Sequence, residues 1–137
     1  MKDDLYGKDL VHAELSYSIV SCAFKVFKKL GPGLLEKVYQ RAMAEALKEA
    51  GLKFREQERR ELIFNDKVIG TGYFDFLVEE KVVVELKRGQ FYFAGEIEQV
   101  SYYLKSSGLQ LGLILRFTDS GVRFKRVVNL PGYSKTA

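Results

Sequence analysis

The stretch Tyr73-Phe74-Asp75-Phe76-Leu77-Val78-Glu79-Glu80-Lys81-Val82-Val83-Val84-Glu85-Leu86-Lys87 holds two apolar runs separated by one polar triplet. Both runs are rich in aromatic and β-branched residues, so each predicts a strand, and Glu79-Glu80-Lys81 predicts the hairpin turn between them. A strand's period of two puts Val83, Glu85 and Lys87 on one face and Val82, Val84 and Leu86 on the other. With the triplet as the loop, Val78 pairs with Val82, and counting outward Asp75 pairs with Glu85. Directly opposed side chains stand about 5 Å apart at Cβ, where two like charges destabilise a sheet unless a proton or cation lies between them. The pair therefore asks for a metal. Oxygen-only ligands suit a hard divalent ion such as Mg²⁺, which keeps several waters and also takes substrate phosphate oxygens. Lys87, two residues on, is placed to stabilise developing phosphate charge or to hold an attacking water. A plainer reading stays open at this point: an edge-strand ion pair between Glu85 and Lys87, with Asp75 a solvated acid. Glu79-Glu80-Lys81 itself has the Glu-x-Lys spacing and no chemical claim.

Working outward, Leu15, Ile19, Cys22, Val26 and Leu30 recur at steps of three and four and predict an amphipathic helix over 10–30. Gly31-Pro32-Gly33 ends it, and a second helix starts at about Leu34, with Leu35, Val38, Ala42, Ala46 and Ala50 at helical spacing and Gly51 as C-cap. Lys53 to Phe64 is so charged that it reads as an edge strand, and Asn65-Asp66-Lys67 is a turn into the central hairpin. Downstream come a helix from Gly95 to Ser106, a stop at Gly108, a buried strand from Leu109 to Phe117, a turn at Asp119-Ser120-Gly121 and a strand from Val122 to Val128. The tail from Pro131 is expected to fray. This α-α-β-β-β-α-β-β order predicts an α/β fold, a mixed sheet with helices packed on it, as one domain over 1–137 with its core at about 10–128. The helical crossover makes the Glu85 strand and the Leu109 strand parallel neighbours.

Composition narrows the chemistry. The chain has 137 residues, 47% of them apolar and 29% charged, ordinary for one soluble globular domain. The acidic start Met1-Lys2-Asp3-Asp4 does not read as a signal peptide, and no apolar run approaches the ~20 residues of a membrane span. Cys22 stands alone among apolar neighbours, so a core role in a reducing, cytoplasmic compartment is expected. His12 is the single histidine, which removes most zinc sites and any histidine-based triad distributed over the fold. Carboxylate and lysine chemistry remains. The net charge of +4 favours polyanions mildly. Arg116, Arg123, Lys125, Arg126 and Lys135 crowd the C-terminal part as either a solvated basic face or a phosphate track.

Three further groups are candidates. Glu36 lies in the first turn of the second helix, where a carboxylate either caps the helix or serves as a further acid for the metal. Gln99 and Tyr103 stand four apart on one helical face, spaced to meet a phosphate or an unstacked base, or to be an ordinary amphipathic pair. Phe91-Tyr92-Phe93 suits base stacking or apolar packing equally.

Gly33-x-x-Glu36-x-x-Tyr39 with the preceding Leu30-Gly31-Pro32, then Asp75, Glu85-x-Lys87, Gln99-x-x-x-Tyr103 and Gly112-Leu113-Ile114-Leu115, together resemble the GxxExxY proteins. Those are small prokaryotic members of the PD-(D/E)XK, restriction-endonuclease-like superfamily, and the likeness runs from about Leu10 to Val128. The resemblance implies an α-β-β-β-α-β core with an acidic site on the central strands and metal-dependent phosphodiester cleavage. It implies that Asp75 and Glu85 bind Mg²⁺, with Mn²⁺ as a substitute, that Lys87 positions or activates the water, and that Glu36 is the helical acid at the metal. Gln99 and Tyr103 match an element that organises site and substrate. The expectation is a cytoplasmic nuclease acting on nucleic acid, DNA ahead of RNA, working as a homodimer or with a partner protein and without a membrane. The alternative is a nucleic-acid-binding module or partner subunit with a nuclease fold and no turnover.

Overall fold

The computed structural model describes residues 11–90 and 94–130, so the aromatic run Phe91-Tyr92-Phe93 and the tail from Pro131 lie outside the described residues. Helices α1 (Ala13–Leu30) and α2 (Glu36–Glu49) precede strands β1 (Phe54–Phe64), β2 (Lys67–Val78) and β3 (Val82–Arg88). Helix α3 (Ala94–Ser107) then crosses to β4 (Leu111–Phe117), and β5 (Val122–Val128) follows. The strands form one sheet in the order β1-β2-β3-β4-β5. Neighbours are antiparallel except β3 and β4, which run parallel with α3 as their crossover. The charged strand is at the edge, as its composition predicts. No described helix is long and apolar enough to cross a membrane.

Each face of the sheet carries its own core. Val82, Val84 and Leu86 of β3 join Phe76, Leu113 and Leu115 beneath α1 and α2. On the other face Val83 joins Phe74, Leu77 and Ile114 beneath Val100 and Leu104 of α3. The alternation in β3 therefore sorts as the period of two requires. All of β4 is buried, which a central strand covered on both faces demands.

The turn between α1 and α2 is fastened to the sheet by Tyr39. Its ring, 1% exposed, stacks on Phe117 at the end of β4, with centroids 4.1 Å apart and planes within 3°. Its hydroxyl donates to the Gly31 carbonyl at 2.7 Å and accepts the Leu34 N–H at 3.3 Å. Gly31 and Gly33 hold φ of +76° and +87°, conformations open to glycine at little cost. Arg88 Nη1 donates to the Leu34 carbonyl at 3.0 Å, tying the end of β3 to the same turn. The start of α2 is thereby held at the C-terminal ends of β3 and β4.

The hairpin of β1 and β2 is longer than the run from Tyr73 suggests. β2 pairs with β1 from Lys67 to Val78, whereas it pairs with β3 only from Phe76 to Val78. Its distal part, with Leu62, Ile63, Phe64, Val68 and Ile69 all exposed, projects as a two-stranded arm. Asn65 and Asp66 turn it with positive φ, as a two-residue hairpin loop requires. The Tyr102 hydroxyl of α3 accepts the Ile63 N–H and donates to the Ile63 carbonyl, at 3.3 and 3.4 Å.

Helix α3 approaches β4 closely at Gly112. A Cβ there would lie 2.4 Å from Val100 Cγ1 and 3.2 Å from Val83 Cγ1, both in the packed core. Gly112→Ala is expected to cost about 1–3 kcal/mol through overpacking, read as a lowered urea midpoint, while Gly95→Ala, with open space around it, shows no such loss.

Candidate active site

Asp75 and Glu85 meet where β2 and β3 stop pairing. The ladder runs Val78↔Val82, Leu77↔Val83 and Phe76↔Val84, the register counted from the polar triplet. The next pair counted from the sequence, Asp75 with Glu85, does not form as a strand pair; instead Asp75 Oδ2 accepts the Leu86 N–H at 2.7 Å. On the β1 side, Gln57 falls opposite Asp75 between the pairs Glu56↔Phe76 and Glu58↔Phe74, with φ of +55°. That conformation is uncommon for a residue with a Cβ. Phe76 packs beneath α1 and α2 whereas Phe74, two residues back, packs beneath α3. The strand turns over at Asp75, and this irregularity directs its carboxylate toward β3.

The Glu85 side chain, 15% exposed, lies close enough to the Asp75 carboxyl for the two acids to influence each other. Two carboxyl groups so placed are both ionised only at a cost that a proton or a cation removes. Burial, and then the Asp75 charge, push the Glu85 acid up to about 8, against the pull of Lys87. Burial also raises Asp75, opposed by the Leu86 N–H, with Glu56 nearby adding to the rise. Lys87 Nζ stands 3.6 Å from Glu85 Oε2. Asp75, Glu85 and Lys87 are therefore in one place. The Glu85–Lys87 ion pair of the plainer reading is present, but β3 is not an edge strand of the sheet and Asp75 is not a solvated acid.

The donor set fits a hard divalent cation. Two adjacent acids form a site that a proton or a cation can fill, and their oxygen ligands match Mg²⁺ or Mn²⁺. Among the described residues no three His, Cys, Asp or Glu side chains form a metal-holding group, so the remaining coordination would fall to water and substrate oxygens.

The other predicted residues are distributed around this centre. Glu36 is the first residue of α2 and exposed, at the helix end that Tyr39 and Arg88 fasten, and it does not join Asp75 and Glu85 in a three-acid cluster. Gln40, one turn on, donates Nε2 to Glu56 Oε1 at 3.2 Å. Gln99 is exposed on α3. Tyr103 donates its hydroxyl to Glu58 Oε2 at 3.0 Å and packs edge-on against Phe74 with centroids 5.0 Å apart. Burial and then Glu58 push its phenol up to about 12.

Sequence reasoning missed two contributors. Glu56 looked like one more solvated charge in β1, and no periodic signal marks it. Arg116 was counted with the basic C-terminal residues, yet it is 2% exposed. It pairs with Glu96 of α3 and donates to the Arg88 carbonyl at 3.1 Å. In the parallel register it lies beside Lys87. The available signal was a single cation inside the fully apolar run Leu113-Ile114-Leu115-Arg116-Phe117, because a charge buried there requires a partner.

The family model described as the PD-(D/E)XK nuclease superfamily matches residues 13–127. Among solved structures, the crystal structure of SSO0001 superposes with a TM-score of 0.54 at 16% identity, covering 68% of this chain and 50% of that one. An alkaline exonuclease, LHK-Exo from Laribacter hongkongensis, gives 0.49 at 17% identity, covering 70% and 57%. The chain thus spans about half the length of these structures. No curated protein matches significantly. The fold is restriction-endonuclease-like, three described helices on a five-stranded mixed sheet.

Glu85 also makes the metal-free protein pH-sensitive. Its folded-state acid is raised from 4.5 to about 8, so folding takes up a proton and this contribution is complete below 4.5 and lost as pH rises through 8. Urea unfolding in EDTA is expected to show stability falling by roughly 1–4 kcal/mol across that window. Glu85→Gln, which cannot ionise, should flatten the profile.

Proposed function

Because the chain belongs to the PD-(D/E)XK nuclease superfamily, we propose that it is a divalent-metal-dependent nuclease hydrolysing phosphodiester bonds, DNA ahead of RNA. The observation that carries this reading is the gathering of Asp75 and Glu85 where β2 and β3 part, with Asp75 accepting the Leu86 N–H at 2.7 Å and Lys87 Nζ 3.6 Å from Glu85. Mg²⁺ or Mn²⁺, when bound, supplies a Lewis acid at the scissile phosphate and lowers the pKa of a coordinated water. Asp75 and Glu85 would ionise and present carboxylate oxygens to the cation. The Lys87 ammonium, on the same face, would hold the attacking water or offset charge developing on the phosphate as the new P–O bond forms and the ester P–O bond breaks.

The surrounding residues serve position. Tyr39 and Arg88 hold the start of α2, and with it Glu36, at the site's end of the sheet. Tyr103, engaged with Glu58 and Phe74, would fix α3 so that Gln99, one turn earlier and exposed, meets the substrate backbone. Arg116, paired with Glu96, would keep the neighbour of Lys87 from competing for Glu85.

Purified protein incubated with labelled single-stranded DNA, duplex DNA and RNA in Mg²⁺, Mn²⁺ or EDTA tests the reading. Metal-dependent cleavage is expected, reduced at least about a hundredfold by Glu85→Gln and by Lys87→Met. Binding with no cleavage in any metal would instead identify a non-catalytic nucleic-acid module.

A further inference from the structure

Arg60 lies in β1 directly across from Gly72 in β2. A Cβ on Gly72 would come within 2.7 Å of Arg60 Cζ and Nη2 and 2.9 Å of Nε, so the guanidinium occupies the space a side chain at 72 would take. Cζ lies 5.3 Å from the Phe74 ring centroid. Nε is sealed from solvent with no hydrogen-bond partner, Nη1 and Nη2 are not so sealed, and among the described residues no hydrogen bond or ion pair joins Arg60 to another. The inner edge of the fork is packed, and its outer edge has no partner among the described residues.

The acids nearest in sequence are already engaged. Glu58 accepts the Tyr103 hydroxyl and two guanidinium bonds from Arg55, at 3.3 and 3.1 Å. Glu61 pairs with Arg59 at 3.0 Å. A half-desolvated guanidinium whose outer edge has no carboxylate matches the geometry of a phosphate group. Phe74, beneath it, belongs to the α3 face of the sheet, the face that carries Val83 and hence Glu85 and Lys87. Gly72 precedes Asp75 by three residues, about 10 Å of strand.

We propose that Arg60, held on the shelf of Gly72 and Phe74, binds a backbone phosphate of the nucleic acid next to the scissile one. The inference rests on the nuclease reading for its substrate class. Arg60 sets the path of the strand as it leaves the acid pair, and Gly72 is glycine because the guanidinium needs that space.

Fluorescence anisotropy of a labelled single-stranded oligonucleotide, over a salt series in EDTA or Ca²⁺, tests it. Arg60→Gln should weaken binding about tenfold at low salt and make the log–log salt slope shallower by about 0.7. Arg60→Lys should keep the slope with weaker binding, since the charge stays and the fork is lost. Gly72→Ala, whose methyl displaces only the flexible end of Arg60, should weaken binding with an unchanged urea midpoint. Arg59→Gln, the same charge loss one residue away, should stay near wild type. Wild-type affinity and slope in Arg60→Gln, an equal loss in Arg59→Gln, or no binding by the wild type would each overturn the proposal. Cleavage by the wild type in Mg²⁺ is scored separately, so the nuclease reading and this one fail independently.

Discussion

Two carboxyl groups buried against each other repel once both are ionised, and a protein tolerates that only with a proton or a cation between them. Asp75 and Glu85 are in that situation, and much of the surrounding structure follows from it. The ladder between β2 and β3 ends just before them, so neither residue is held by the regular strand pairing that continues down to the turn. Gln57 takes a left-handed backbone conformation at the level of Asp75. Lys87 offsets part of the charge from one side. Strain and unfavourable electrostatics are gathered at one point of an otherwise regular sheet.

The rest of the chain keeps that point accessible and rigid. Tyr39 performs a structural duty inside a motif whose glutamate attracts the chemical attention: stacked on Phe117 and bonded to Gly31, it joins the interhelical turn to the end of β4. On the opposite face, the absence of a side chain at Gly112 lets Val100 settle against β4. Arg116 and Glu96 then link helix and strand with a buried ion pair beside Lys87. Three elements from separate parts of the chain are thus brought to the C-terminal ends of the two parallel strands, where open α/β sheets place their ligands.

The hairpin was legible because two apolar runs and a polar triplet leave a single register consistent with the alternation of Val82 to Lys87. The parallel pairing of β3 and β4 followed from the helix between them, and the edge position of β1 from its charge. What stayed hidden was side-chain allegiance. Strand β1 carries Arg55, Glu56, Glu58, Arg59, Arg60 and Glu61 nearly in succession, and nothing in that order separates Glu58, engaged by Tyr103, from Glu56, engaged by Gln40. Helical spacing put Gln99 and Tyr103 on one stripe, but α3 crosses the sheet so that Tyr103 meets β1 while Gln99 remains in solvent. The turnover of β2 at Asp75 has no sequence signature, since alternation predicts that Phe74 and Phe76 share a face and they do not.

The bond from Leu86 N–H to Asp75 Oδ2 gives that carboxylate a second occupation. It serves as the last rung between two strands whose backbones have already parted. A variant that truncates the side chain therefore erases an acid and also frees a backbone amide at the centre of the sheet, and lost activity in such a protein has two indistinguishable origins. Substitution by asparagine keeps an oxygen for the amide and removes only the charge. Truncation is therefore ambiguous at Asp75 where asparagine is not, although Asp75 and Glu85 look interchangeable on paper.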